Sequence, residues 1–115
     1  MARSSGPPGK SAEALNGKIY FHPAAEDELV AAQDWFQARS IRAAERFMQE
    51  IEATLDRFRR SSAQFPRFTA GTRRAILHRF PYALIFSEGA EGIQIYAVAH
   101  AKRRPGYWRT RINRP

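Results

Sequence analysis

The sequence predicts an α+β fold of order β-α-α-β-β-β, with a helical hairpin packed on one face of a mostly antiparallel four-stranded sheet. Three observations carry this expectation. Ile41, Ala44, Phe47, Met48, Ile51, Leu55 and Phe58 form an apolar stripe at helical spacing over about twenty residues. A shorter stripe of the same kind, Ala25, Leu29, Ala32 and Phe36, precedes it with very little chain between. Behind both lie three β-rich runs, residues 72–79, 82–88 and 92–100, parted by corner and hairpin signals.

Each element has its local reasons. Residues 1–17 are rich in Ser, Gly, Pro and Ala and are expected to be a disordered leader, leaving 18–115 as one domain with a basic C-terminal tail. Lys18 to Phe21 reads as a short apolar strand. His22 stands at a helix entrance in a structural role, and Pro23 suits a first helical turn. Glu26, Asp27 and Glu28 complement the positive end of that helix, which should stop near Arg39. Ser40 is a natural N-cap for the second helix. A connection this short makes the two helices an antiparallel hairpin. Trp35, beside the Phe36 face, is expected in the core or between the helices. Phe80-Pro81-Tyr82 makes a structural corner, and Gly89-Ala90-Glu91-Gly92 a hairpin loop. The last strand alternates, with Ile93, Ile95, Ala97 and Ala99 on one face and Gln94, Tyr96, Val98 and His100 on the other.

Composition bounds the function. The chain has 115 residues and no cysteine, which excludes disulfides and thiolate metal sites and fits a cytoplasmic protein. No apolar run approaches the roughly 20 residues that cross a bilayer, and the N-terminus is no secretory signal, so no membrane partner is expected. The net charge of +8 is segregated: through Asp56 there are nine acids and six Lys or Arg, and from Arg57 onward two acids and thirteen Lys or Arg. Such a basic half points to a polyanion or an acidic protein partner. His22, His78 and His100 lack metal-ligand spacing, and there is neither a Gly-rich phosphate loop nor a nucleophile motif. No metal and no cofactor is expected.

An ordered set of short pieces then points to a family. It comprises His22-Pro23-x-Ala25-x-x-Glu28-Leu29, the long second helix, Pro66, Arg73-Arg74 and Phe80-Pro81-Tyr82. It continues with Ile93-x-Ile95-x-Ala97-Val98-x-His100 and Arg103-x-Pro105-x-x-Trp108. From Lys18 to Arg111 the chain resembles the RelE/ParE superfamily of type II toxin–antitoxin toxins, often labelled plasmid stabilisation proteins. The resemblance implies a small bacterial cytoplasmic toxin, neutralised by a cognate antitoxin that wraps its surface. The RelE-like branch cuts mRNA in the ribosomal decoding site, whereas the ParE-like branch is described as inhibiting DNA gyrase without being a nuclease.

The residues weigh differently on the two branches. Metal-free RNA cleavage needs a base and an acid flanking the phosphate, with cations over it. For that chemistry the candidates are His100 and Tyr107 for protons and Arg73 and Arg103 for phosphate, with Trp108 to stack a base. Yet RelE-like nucleases place lysines, or a Glu with an Arg and a terminal His, on the sheet face. This chain has no Lys, Asp or Glu between Arg57 and Ser87. The ParE-like branch is therefore favoured, with Arg74, Arg79, Arg103, Arg104, Tyr107, Trp108 and Arg109 as target-binding residues, since Arg, Tyr and Trp dominate interface hot spots. On this reading His100 only hydrogen-bonds a loop. One of Arg73 and Arg74 is expected to pair with a helix carboxylate such as Asp56. Loss of residues 103–115 is expected to abolish toxicity and spare the fold. A third class, a partner-binding relative without toxicity, also fits the residues.

Overall fold

The computed structural model describes residues 18–112, so the expected leader, residues 1–17, lies outside the described residues. The elements follow in the predicted order: β1 (Ile19–Phe21), α1 (Pro23–Arg39), α2 (Ile41–Ser61), β2 (Arg73–Ile76), β3 (Tyr82–Gly89) and β4 (Gly92–His100). The strand order across the sheet is β1-β4-β3-β2. β1 runs parallel to β4, and the other two pairings are antiparallel. A parallel pairing of first and last strands demands a long crossover, and the helical hairpin supplies it.

One residue joins the helices. The Ser40 N–H donates to the Phe36 carbonyl at 2.8 Å, closing α1, and its Oγ accepts the Ala43 N–H at 3.1 Å, opening α2. At the other end of α1, His22 Nδ1 accepts the Ala24 N–H at 3.0 Å, the structural role expected of it. The apolar stripes face inward except at Ile41, which is exposed in the first turn of α2: Phe47, Ile51, Leu55 and Phe58 of α2 and Ala25 and Ala32 of α1 are buried against Leu84, Phe86, Ile93, Ile95 and Val98 of the sheet. Phe58 stacks on Phe86 with ring centroids 4.0 Å apart. Phe80 packs edge-on against Phe36 and Phe47, which makes the Phe80-Pro81-Tyr82 corner part of the core.

Four expectations need correction. Trp35 is 51% exposed, because the helical stripe turns Ala32 and Phe36 inward and leaves the indole on the outer flank, under the Arg39 guanidinium. The predicted strand 72–79 pairs only from Arg73 to Ile76, because the Glu50 carboxylate of α2 takes the N–H groups of His78 and Arg79 and turns the chain there. The alternation of β4 is broken. Ile85 pairs with Ala97 and Phe86 with Ile95, so Tyr96 is an extra residue in the ladder, a β-bulge. One extra residue flips every following side chain to the opposite face. Ile93, Ile95 and Val98 thus share the helix-side core, while Ala97 and Ala99 face the other way.

The fourth correction concerns the tail. After His100 the chain folds back over the sheet face that the helices leave open, and Trp108 packs there on Ile85 and Ala97, with Phe68, Tyr107 and Ile112 around it. Trp108 is 2% exposed. The tail is therefore, through residue 112, part of the fold.

Candidate functional site

The basic half converges where β4 ends. β1 pairs with β4 only up to Ile95, so beyond that point the β4 edge facing α1 has no neighbouring strand. The Glu28 carboxylate of α1 fills the gap. Its Oε1 accepts the Val98 N–H at 3.0 Å, and both its oxygens accept from Arg111, at 3.1 and 2.9 Å. The Tyr107 hydroxyl donates to Oε2 at 2.8 Å, and an Arg103 nitrogen lies 4.0 Å from the same oxygen. Arg111 also donates to the Tyr96 carbonyl at 2.8 Å.

This arrangement changes the chemistry open to Tyr107. Burial first, then its hydrogen bond to Glu28 and that residue's negative charge, holds the phenol proton well above the ordinary tyrosine range. Arg111 is held above its own ordinary value, chiefly by the bond to Glu28. His100 sits against Tyr82, ring centroids 5.0 Å apart, and its Nδ1 accepts the Lys102 N–H at 3.0 Å. It makes the loop hydrogen bond expected of a strand-closing histidine.

The structure sorts the arginines. Arg73 turns away from His100: its Nε donates to Glu88 at 2.9 Å and a terminal nitrogen to the Phe65 carbonyl at 2.7 Å. It does not pair with Asp56, which Arg59 and Arg60 of its own helix occupy. The nuclease set of His100, Tyr107, Arg73 and Arg103 is thus not assembled, because Arg73 is held at the far end of β3. Arg74 lies over Phe68, 4.3 Å from the ring centroid, and Arg109 donates to Thr69 Oγ1 at 3.0 Å. Arg103 lies over Tyr107 at 3.8 Å. Among the described residues, no carboxylate pairs with Arg74, Arg79, Arg104 or Arg109. Trp108 departs from expectation, since its buried indole has no face left on which to stack a base.

Two depressions flank the end of β4, and His100 and Arg103 border both. One, of about 560 Å³, lies between α1 and β4 and is lined by Ala32, Trp35, Phe36, Tyr82 and Val98, with Glu28 at its margin. The other, of about 170 Å³, lies on the opposite sheet face, floored by Ala83, Ile85 and Ala99 and rimmed by Arg74, Arg103 and Arg104. Among the described residues no group of three or more His, Cys, Asp or Glu could hold a metal ion. Among the described residues no helix is long and apolar enough to cross a membrane.

Sequence reasoning used Glu28 only as a charge near a helix N-terminus and as one letter of a motif. Its position three residues after Ala25 keeps it on the inward side of α1, and that spacing was the available signal. Its partners at 98, 107 and 111 were not visible without the fold.

Comparison with known proteins accords with this architecture. A family model described as the ParE toxin of the type II toxin–antitoxin system parDE matches residues 19–105. No curated protein matches the chain. A solved chain described as the chromosomal ParDE TA system from P. aeruginosa superposes with a TM-score of 0.65, at 19% identity, over 79% of this chain and 100% of that one. At that identity the likeness speaks for the fold.

Proposed function

This chain belongs to the ParE toxin family of type II toxin–antitoxin systems, and we propose that it arrests bacterial growth by gripping a cytoplasmic target such as DNA gyrase, breaking no bond. The observation that carries this reading is the set of uncompensated cations around the end of β4. Arg74, Arg104 and Arg109 stand without carboxylate partners among the described residues, near Arg103, while Arg79, also without one, sits at the turn where Glu50 takes its backbone N–H. Such a rim suits recognition of an acidic surface. Of the proton carriers that a nuclease would need, Tyr107 is engaged on Glu28, and His100 holds the Lys102 N–H with its Nδ1.

The test is direct. Purified protein should inhibit DNA supercoiling by gyrase, and Arg74→Glu with Arg104→Glu should relieve the inhibition while leaving the circular dichroism unchanged. Cleavage of ribosome-bound mRNA by the purified protein, lost in His100→Ala or Tyr107→Phe, would replace this reading with the RelE-like one.

The cognate antitoxin, on the same reading, carries an acidic or amphipathic segment. It lies along the sheet edge or the helical hairpin and covers the basic half. The groove between α1 and β4 supports this: half-exposed Trp35 and the Phe36 and Tyr82 rings offer apolar contact, and Arg103 and His100 stand at its rim.

A further inference from the structure

We propose that Glu28 is a positioning residue for target binding, a single carboxylate on α1 that clasps the C-terminal tail and so sets where the basic rim stands. The inference rests on the binding reading above and adds the element that aims it.

The geometry begins with the bulge. Past Ile95, the β4 edge facing α1 has lost β1, and its Val98 N–H and Tyr96 carbonyl need partners. Glu28 takes the first and Arg111 the second, while the two bond each other twice. A carboxylate from one end of the chain and a guanidinium from the other thus occupy the place of the missing strand. Their side chains are 16% and 15% exposed. Screening by solvent is therefore weak, and charge-assisted bonds of this kind are the strong ones.

The clasp reaches the rim through Tyr107. With its hydroxyl fixed on Glu28, the Tyr107 ring has two guanidiniums against it, Arg103 at 3.8 Å and Arg111 at 5.1 Å. Arg103 is itself 4.0 Å from Glu28. Ala101 N–H ties the start of the loop to the Pro81 carbonyl; from there to Tyr107 the backbone makes short-range turn bonds, from Arg103 N–H to the His100 carbonyl and from Tyr107 N–H to the Arg104 carbonyl. A second anchor, buried Trp108, follows immediately and does not involve Glu28. Opening the clasp therefore leaves the core closed while the loop carrying Arg103 and Arg104 loses its fixed placement.

Glu28→Gln tests this, since it keeps the size and an acceptor oxygen but removes the charge that holds Arg111 and Arg103. Tyr107→Phe removes only the link to the ring. In both variants, trypsin cleavage after Lys102 or Arg103 should speed up, in Glu28→Gln by roughly tenfold, the scale of one charge-assisted hydrogen bond. The inducer dose needed to halt growth should rise by a similar factor. Circular dichroism should be retained. The ultraviolet titration of Tyr107, read as the difference from Tyr107→Phe, should move down toward the ordinary tyrosine range in Glu28→Gln, a change that loosened packing elsewhere would not produce. Wild-type cleavage and toxicity in Glu28→Gln would overturn the proposal. If that variant fails to fold, Tyr107→Phe decides: unchanged cleavage and toxicity overturn the clasp. Arg104→Glu separates the two readings. If it leaves toxicity intact, the rim reading fails. If it removes toxicity while Glu28→Gln loosens the tail without weakening the toxin, the clasp alone fails.

Discussion

Single residues decide which cations are free. Arg73 and Arg74 are neighbours in β2, and pleating sends them to opposite faces, one onto Glu88 and the other over Phe68 toward the cleft. Glu88 is held below its ordinary value of 4.5, first by the Ser62 hydroxyl and then by Arg73. A lowered folded value means the folded chain favours the ionised form more than the unfolded chain does. The resulting stabilisation is complete above about pH 4.5 and is lost as pH falls through the lowered value. Glu88→Gln should accordingly flatten the acid limb of a stability–pH curve in that window, as followed by urea denaturation. Trp108 makes the second prediction at this scale. Trp108→Ala should cost about 3–5 kcal/mol in the same denaturation measurement, as for other large aromatic truncations in a core. A chain ending at Lys102 should melt far lower than the full chain for the same reason. Loss of toxicity in that truncation then reports unfolding as well as loss of the rim.

Among the elements, α2 is the mainstay; its stripe was readable from Ala44 to Phe58, whereas Ile41 is 65% exposed in the first turn and buried Thr54 was not part of it. Leu55→Ala should destabilise by about 2–5 kcal/mol, because Leu55 is 8% exposed and packs in the main core. Ser40→Ala should cost about 1 kcal/mol by removing the cap at the start of α2. β4 behaves differently, because its face assignment changes part-way along. Deleting Tyr96 would remove the extra residue and leave Ile95, Ala97 and Val98 in simple alternation on their present faces, so the deletion should still unfold cooperatively on heating. Gly92 shows why the first strand can lie against the last. Its φ is +127°, and a Cβ there would stand 2.6 Å from the Lys18 carbonyl oxygen, so Gly92→Ala would push β1 away from β4.

The whole molecule is electrostatically divided. β1, α1 and most of α2 belong to the acidic half, and β2, β3, β4 and the tail to the half that holds thirteen Lys or Arg against two acids. The folded chain keeps Arg103, Arg104 and Arg109 exposed at one end of the sheet. Association with an acidic target or antitoxin should therefore weaken steadily as salt rises, since exposed charges are screened over about 10 Å at 0.1 M. Titration calorimetry across salt concentrations checks this. A tight complex indifferent to salt, with the basic half left bare, would contradict it.

Periodicity and composition by themselves determined the element order, the inward faces of both helices, the Ser40 junction, the strand corner and the charge division. Each of these depends on residues close together in the chain or on simple totals. Separately, an ordered set of short pieces resembled the toxin family. Tertiary structure alone decided the rest. Tyr96 reads as an ordinary strand residue until β3 shows it has no partner, and that one bulge sets the faces of Val98 and His100. Trp108 reads as an exposed anchor until Ile85 and Ala97 close over it. Glu28 meets Val98, Tyr107 and Arg111 from 70 to 83 positions away, and no local pattern records contacts at that separation. Side-chain periodicity reports which way a residue faces within its own element, whereas burial and ion pairing depend on what the rest of the chain brings to that face.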